Sequence, residues 1–495
     1  MKIFGYFFLS LVVIPIAVAQ DTAKFNEVLA NYQADKDSLK LKAAEYLIKN
    51  MSSHESIDLI WINEEGKDTG FHELNFEDYP TALENFKILK DSISIRPQEI
   101  TIKDFDIVDS NYIIKNIEAA FTSWEKYQWS RKYDFETFCK QILPYKSVIE
   151  PVQDWRKNYT LFLNDVIENL QDAEEPIEVC QALADRYKQF EYVETWNEPI
   201  PLLGPNQILF REMGSCPDFA NLLVYSGRVL GLPISFDFTP HWAASSNTHF
   251  WCAATDHDGS IIPFDVYEFY LEHFNKRLGK VYRSAYEIQE NSLANIVPLD
   301  SIPDGFLRSK NIKDVTDQYV KTSNVEYNFE NTKKNIAYLT VYNKSEWKIV
   351  DWAHINENGK ATFKSCGRNV VYLPITIANN QVIQEKYPIL LSTDGTISKL
   401  QPTLKNTFDC TLSRENEKVT IFKDNNPLVI SDGKNYNLFY WDKKWVKLAE
   451  AIANQNSVSF KKIPKNALLL LEPDTPSKYL RPFIINSKTS QISWF

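Results

Sequence analysis

A lone cysteine, Cys216, sits inside REMGSCPDFANLLVYSGRVLGLP (211–233), where the sequence signals the start of a helix. Pro217 suits the first helical turn, because the N–H it lacks would have no partner there, and Asp218 sets a carboxylate at the positive end of the helix dipole. Phe219, Leu222, Leu223, Ser226, Val229 and Leu230 make one mostly apolar face, and Gly231 with Pro233 ends the helix. A thiol at a helix N-terminus meets unpaired backbone N–H groups, so it is expected to ionise below the ordinary ~8.5. The same groups can hold an oxyanion formed by attack on a carbonyl. Asp218 opposes a thiolate unless its carboxylate turns toward the helix.

A thiolate nucleophile requires an imidazole to move protons and a group to orient that imidazole. Four of the seven histidines fall between 241 and 273. His249, in the strand-like THFWCAA, is the first choice of base, and His241, after Pro240, is the second. His257 in the turn DHDG reads as solvated, and His273 in YLEHFNKR as part of a helix or loop face. Asp265 in IIPFDVY supplies the third member. If Asp256, His257 and Asp258 form a loop closed by Gly259, His249 faces Asp265 directly across a hairpin. A two-residue loop would set His249 against Val266 instead. Cys252 is three residues from His249, so it points to the other face as a core residue. Two other uses of these side chains compete. A cysteine at a helix start can be mere packing, with His and Asp satisfying each other. A zinc site could be built from His241, His249 and Asp265, but neither HExxH nor a paired CxxC is present, and no metal or cofactor is expected.

These residues need elements to hold them. From about 22 to 190 the pattern is helical: KDSLKLKAAEYLIKNM (36–51) spaces Leu39, Ala43, Leu47 and Met51 by four, and FNEVLANY, NIEAAFTSWEKYQWS, FETFCKQIL and LFLNDVIENL read similarly. From about 200 to 300 the character is mixed, with the Cys216 helix followed by PISFDFTPHWA, THFWCAATD and GSIIPFDVYE. Beyond 313, AYLTVYN, WKIVDWAHI, NVVYLPITI, VTIFK, YNLFYWD and ALLLLEP predict short strands of all-β, sandwich-like modules. DNNPLVISDGKN (424–435) marks a turn region among them. The expected architecture is multidomain α+β: a helical region over 20–190, a mixed core over 191–305, and β-rich domains over 313–400 and 401–495. The first twenty residues, MKIFGYFFLSLVVIPIAVAQ, follow the pattern of a secretory signal peptide cleaved after Ala19, which predicts export to periplasm, cell surface or medium. No later stretch is long and apolar enough to span a bilayer. Six cysteines are too few for a disulfide scaffold, and a net charge of −11 with no basic run argues against nucleic acid as partner.

GSCPDFANLLVYSGRVLGLPISFDF, HFWCAA and IPFDVYE together resemble the transglutaminase-like superfamily, whose core is related to papain-type cysteine proteases. They are similar to its G-x-C helix with a downstream G-[IL]-P, its H-x-W strand and its final Asp strand. The wider organisation resembles large exported transglutaminase-like proteins of Bacteroidetes-type bacteria, with a helical region before the core and β-domains after it. The core likeness spans about 200–300. The resemblance implies Cys216 as nucleophile, His249 as general base and acid, and Asp265 as orienting carboxylate. Trp196, Asn206 and Gln207 are its candidates for oxyanion support, and His241 and Trp251 for the cleft. Phe250 departs from the pattern, since many members have a small or polar residue before the Trp. No calcium is implied, and no EF-hand-like acidic loop is present.

The chemistry expected is acyl transfer through a Cys216 thioester on a peptide, protein or glycopeptide substrate. Hydrolysis ranks ahead of amine cross-linking because water is the less demanding acceptor. The alternative is a non-catalytic peptide- or glycan-binding protein on the same fold. Its Trp and Tyr side chains in WKIVDWAHI and YWDKKWVKL would stack on ligands, although filling sandwich cores is the favoured role for them.

Overall fold

The computed structural model describes residues 22–34, 38–170, 172–194, 200–243, 247–267, 269, 277–329, 334–378, 381–413, 430–474 and 480–495. The signal-like segment, Trp196, His273, VTIFK and the first half of DNNPLVISDGKN lie outside these residues. Helices α1 (Asn26–Ala34) and α2 (Ser38–Met51) come first, and α2 buries Ala43, Leu47 and Met51 as their spacing predicts, while Leu39 in its first turn is exposed. The next stretch departs from the helical expectation. Strands β1 (Glu55–Asn63) and β2 (Ile95–Lys103) pair antiparallel, with helix α3 (Tyr79–Ser92) in the connection between them. ESIDLIWIN and IRPQEITIK do carry runs of alternating Ile and polar residues, a period-two signal within a helix-rich context. Helix α4 (Ser110–Lys126) returns to the helical pattern and packs Ile113, Ile117, Ala120 and Phe121 into the same cluster as Ala43 and Leu47.

Helix α5 (Pro176–Tyr187), strand β3 (Glu191–Tyr192), helix α6 (Pro205–Arg211) and strand β4 (Met213–Gly214) lead to α7 (Cys216–Val229), which spans the expected 217–230 displaced by one residue. From Asp218 to Val229 every residue of α7 is buried. Buried on all sides, it needs its polar groups answered. Arg228 does so by donating to the carbonyls of Gln141 (3.2 Å) and Lys146 (2.8 Å).

One face of α7 lies on an antiparallel sheet of β5 (Ile234–Thr239), β6 (His249–Thr255), β7 (Ile261–Phe264), β8 (Tyr282–Ser284) and β9 (Ile312–Asp314), in the order β7-β6-β5-β8-β9. Phe236, Phe238, Phe250, Cys252, Ala254 and Phe264 meet the helix side. The Cys252 thiol is fully buried and donates to the Ala220 carbonyl at 3.1 Å, in keeping with its expected core role. The opposite face carries Trp251 and the buried Asp237, to which Arg283 donates twice (2.8 and 2.7 Å) and Tyr319 once (2.6 Å).

The β6–β7 register corrects the expected one. Cys252 faces Phe264 and Thr255 faces Ile261, two residues away from the pairing that would set His249 against Asp265. The loop is His257-Asp258-Gly259, not Asp256-His257-Asp258. Asp256 N–H donates to Ser260 O, and Gly259 takes the left-handed third position at φ 84. Glycine is needed at that third position, so the turn slides by one residue at each end. The slip is two residues, an even number, so strand alternation is kept and Asp265 stays in step with Trp251 and His249.

The C-terminal half consists of antiparallel sheets. Glu346–His354, Ile336–Asn343, Val370–Ala378, Ile389–Leu391 and Ile397–Lys399 lie side by side in that order, and so do Trp445–Ile452, Asn435–Trp441, Leu469–Pro473, Pro482–Ile485 and Ile492–Trp494. Three of the tryptophans considered for ligand stacking pack on one another where these two sheets meet, and the fourth, Trp352, lies against His354. Trp347 meets Trp441 at 5.4 Å, and Trp441 meets Trp445 at 5.1 Å, both edge-on. The chain is thus mixed α+β, and among the described residues no helix is long and apolar enough to cross a membrane.

Candidate active site

Cys216 is the first residue of α7, after the extended N-cap Ser215. Asp218, 1% exposed, turns back onto the helix start, and its carboxylate accepts from Ser215 N (2.8 Å), Ser215 Oγ (2.6 Å) and Leu203 N (3.0 Å). Three donors and the reciprocal capping geometry turn this side chain onto the helix start, so its charge is only a secondary influence on the thiol. Gly214 is required for the arrangement, since a Cβ there would stand 2.7 Å from Asp218 Cβ.

Of the six cysteines only Cys216 is not buried. Its thiol does not follow the helix-dipole expectation: the pKa is raised, with burial the main cause and Asp218 a smaller one. Working against these are the nearby Phe250 amide, the Tyr192 hydroxyl and the cysteine's own N–H, each of which favours the charged form. Desolvation of the charged form outweighs the N–H groups, and the group rests as a thiol.

Tyr192 is a neighbour that sequence reasoning missed. It is brought alongside Cys216 by the parallel β3–β4 pair, in which Tyr192 lies beside Gly214, a long-range contact with no local signature. Its ring stacks on Phe219 at 6.1 Å and meets Tyr267 edge-on at 6.2 Å. Burial, then the sulfur's charge, push its hydroxyl up to about 12. Tyr192 and Tyr267 are each about half exposed (47% and 50%), so two aromatic side chains remain open to solvent beside the sulfur.

His249 opens β6 opposite Thr239, and its ring packs against the indoles of Trp242 (6.0 Å, 27°) and Trp251 (5.7 Å, 31°), which also meet each other at 6.4 Å in one three-ring cluster. Trp251 is fully buried and donates to Tyr319, which donates in turn to Asp237, so the strand under His249 is tied down. The amide that reaches the Cys216 sulfur belongs to the His249–Phe250 peptide bond. Asp265 follows β7 directly and accepts from the Tyr267 N–H at 2.6 Å, so it sets the tyrosine that flanks Phe219.

The remaining candidates are engaged elsewhere. Gln207 caps α6 through Gly204 N (2.8 Å) and donates to Glu73 (2.7 Å), which also takes Arg211. Asn206 accepts from Asn158 and takes Gln153 Oε1 on its own amide. His241 is driven down to about 4 by burial first and then by Lys348 and Lys344, which keeps it neutral. His257 is not simply solvated: its Nε2 lies 3.1 Å from the Trp129 carbonyl.

No protein-family model matches the chain, and no curated protein does. Among solved structures the chain is similar to a candidate cysteine protease from Cytophaga hutchinsonii, at 20% identity over 28% of this chain and 50% of that one, with a TM-score of 0.18. It is also similar to the Bacillus anthracis TIE protein, at 18% identity over 53% of this chain and 45% of that one, with a TM-score of 0.12. The chain therefore spans about half the length of each. Neither score reaches that of a shared overall fold, and the chemistry is argued from this chain's own residues.

Proposed function

We propose that this is an exported thiol enzyme of transglutaminase-like type that hydrolyses amide bonds in peptides, proteins or glycopeptides through a Cys216 thioester. One observation carries the reading: Cys216, the one cysteine that is not buried, opens α7, and the amide of Phe250, the residue after His249, lies near enough to favour its charged form. Cys216 attacks the carbonyl, and its proton passes to His249, which returns it to the leaving amine; water then opens the thioester. A thiol that burial keeps protonated depends on such a base. Asp265 orients the imidazole, and N–H groups at the α7 start receive the oxyanion. The exposed Tyr192 and Tyr267 suit the flanks of an extended chain. The binding-protein alternative loses its support where three of the C-terminal tryptophans fill the contact between two sheets.

The test is alkylation by iodoacetamide across pH, with the labelled cysteine mapped, alongside turnover of peptide and glycopeptide pools. Labelling confined to Cys216 and slowed by His249→Ala, with turnover lost in Cys216→Ala, is the expected outcome. Turnover unchanged in Cys216→Ala would overturn the proposal.

A further inference from the structure

The turn joining β6 to β7 carries a second constellation, away from Cys216. Glu175 at the start of α5, Asp256 and His257 bring one potential ligand atom each to within 4.8 Å of one another. His257 Nδ1 lies 3.6 Å from Glu175 Oε2. That is too long for an N–H···O bond, which runs ~2.7–3.2 Å. It is close to the ~3.4 Å edge of a tetrahedron whose metal bonds are ~2.0–2.1 Å.

The other ring nitrogen gives independent support. His257 Nε2 is 3.1 Å from the Trp129 carbonyl oxygen, which can only accept, so Nε2 carries the proton. In the neutral ring Nδ1 is then a lone pair facing two carboxylates. Ligand histidines are held in this way, with the far N–H on a backbone carbonyl fixing tautomer and ring angle. The Tyr133 ring at 5.2 Å backs the imidazole. The carboxylates are part-satisfied on their other oxygens. Lys132 approaches Glu175 Oε1, and Asp256 Oδ1 accepts the His257 amide at 2.7 Å, which leaves one oxygen of each for the cluster.

We infer that Glu175, Asp256 and His257 form a binding site for a divalent transition ion. Zinc is the best match to one imidazole and two carboxylates, with a fourth position for water. The ion ties the hairpin that carries His249 and Asp265 to the start of α5 and to Trp129, whose indole donates to Leu230 O at the end of α7. This is a structural clamp, and it stands whether or not Cys216 is a nucleophile.

The experiment is titration of tag-free, chelator-treated full-length protein with Zn²⁺ by calorimetry and with Co²⁺ by visible absorption, plus melting temperature with and without Zn²⁺. One equivalent bound, tetrahedral Co²⁺ bands and a raised melting temperature are expected. Glu175→Gln and His257→Gln should each weaken binding by more than the ~10-fold typical of losing an outer partner. Glu175 is exposed, so its variant keeps the fold even if the His257 variant does not. No saturable binding up to about millimolar Zn²⁺, or equal affinity in the wild type and Glu175→Gln, would overturn the site. So would a melting temperature of the wild type that Zn²⁺ leaves unchanged.

Discussion

At the scale of single residues, the thiol of Cys216 is balanced between burial, which holds its proton, and three donors that stabilise its charge. Tyr192 is the one donor that mutation can remove cleanly. A hydrogen bond to a charged group is worth ~1.5–3 kcal/mol, and exposure of the tyrosine favours the low end. Tyr192→Phe should therefore raise the Cys216 pKa further. Alkylation rates followed against pH would show this as a rightward shift, and an unmoved profile would remove Tyr192 from the site. Asp265→Asn tests the orienting carboxylate. By analogy with the serine triad, turnover should fall by up to ~10⁴ with the melting temperature little changed.

At the scale of elements, the β6–β7 hairpin decides which side chains meet. Gly259 holds φ 84 with nothing within 4 Å of where a Cβ would sit, so Gly259→Ala adds backbone strain without a clash. The expected cost is ~1–2 kcal/mol, read as a lowered melting temperature. Arg283→Met should cost more, ~3–5 kcal/mol, because it leaves the buried Asp237 carboxylate without its cation; denaturant unfolding would measure the difference. These elements were unevenly legible in the sequence. Helix α7 was readable to one residue because Pro217, the apolar face and Gly231 are local signals. The hairpin was readable as a hairpin, but its register turned on which residue takes the left-handed position. The β1–β2 pair was hidden inside a helical context. Tyr192 and the desolvation of Cys216 were not readable at all, since both arise from strands and layers distant along the chain.

For the whole molecule, the seam between the N-terminal helices and the segment joining β8 to β9 is sealed by a histidine that must stay neutral. His54 is 5% exposed, stacks on Tyr286 at 4.4 Å and places Nε2 2.8 Å from the Tyr286 carbonyl. Burial first, then Lys146, lower its pKa to about 4. Unfolded, the same ring protonates near 6.5 and so binds the proton that the native state refuses. The stability tied to this group is complete above pH ~6.5 and is lost as pH falls toward ~4, by about 3 kcal/mol in all. Melting temperatures of the wild type should fall through that window more steeply than those of His54→Gln. Equal slopes would remove His54 as the cause.

The two indoles packed beside His249 have a spectroscopic consequence. An excited indole gives up an electron to imidazolium more readily than to imidazole, so the emission of Trp242 and Trp251 should dim as His249 takes a proton. The difference in fluorescence between the wild type and His249→Gln, scanned from about pH 5 to 8, traces the protonation of the candidate base with no substrate and no label. The protein would report the charge state of its own candidate base.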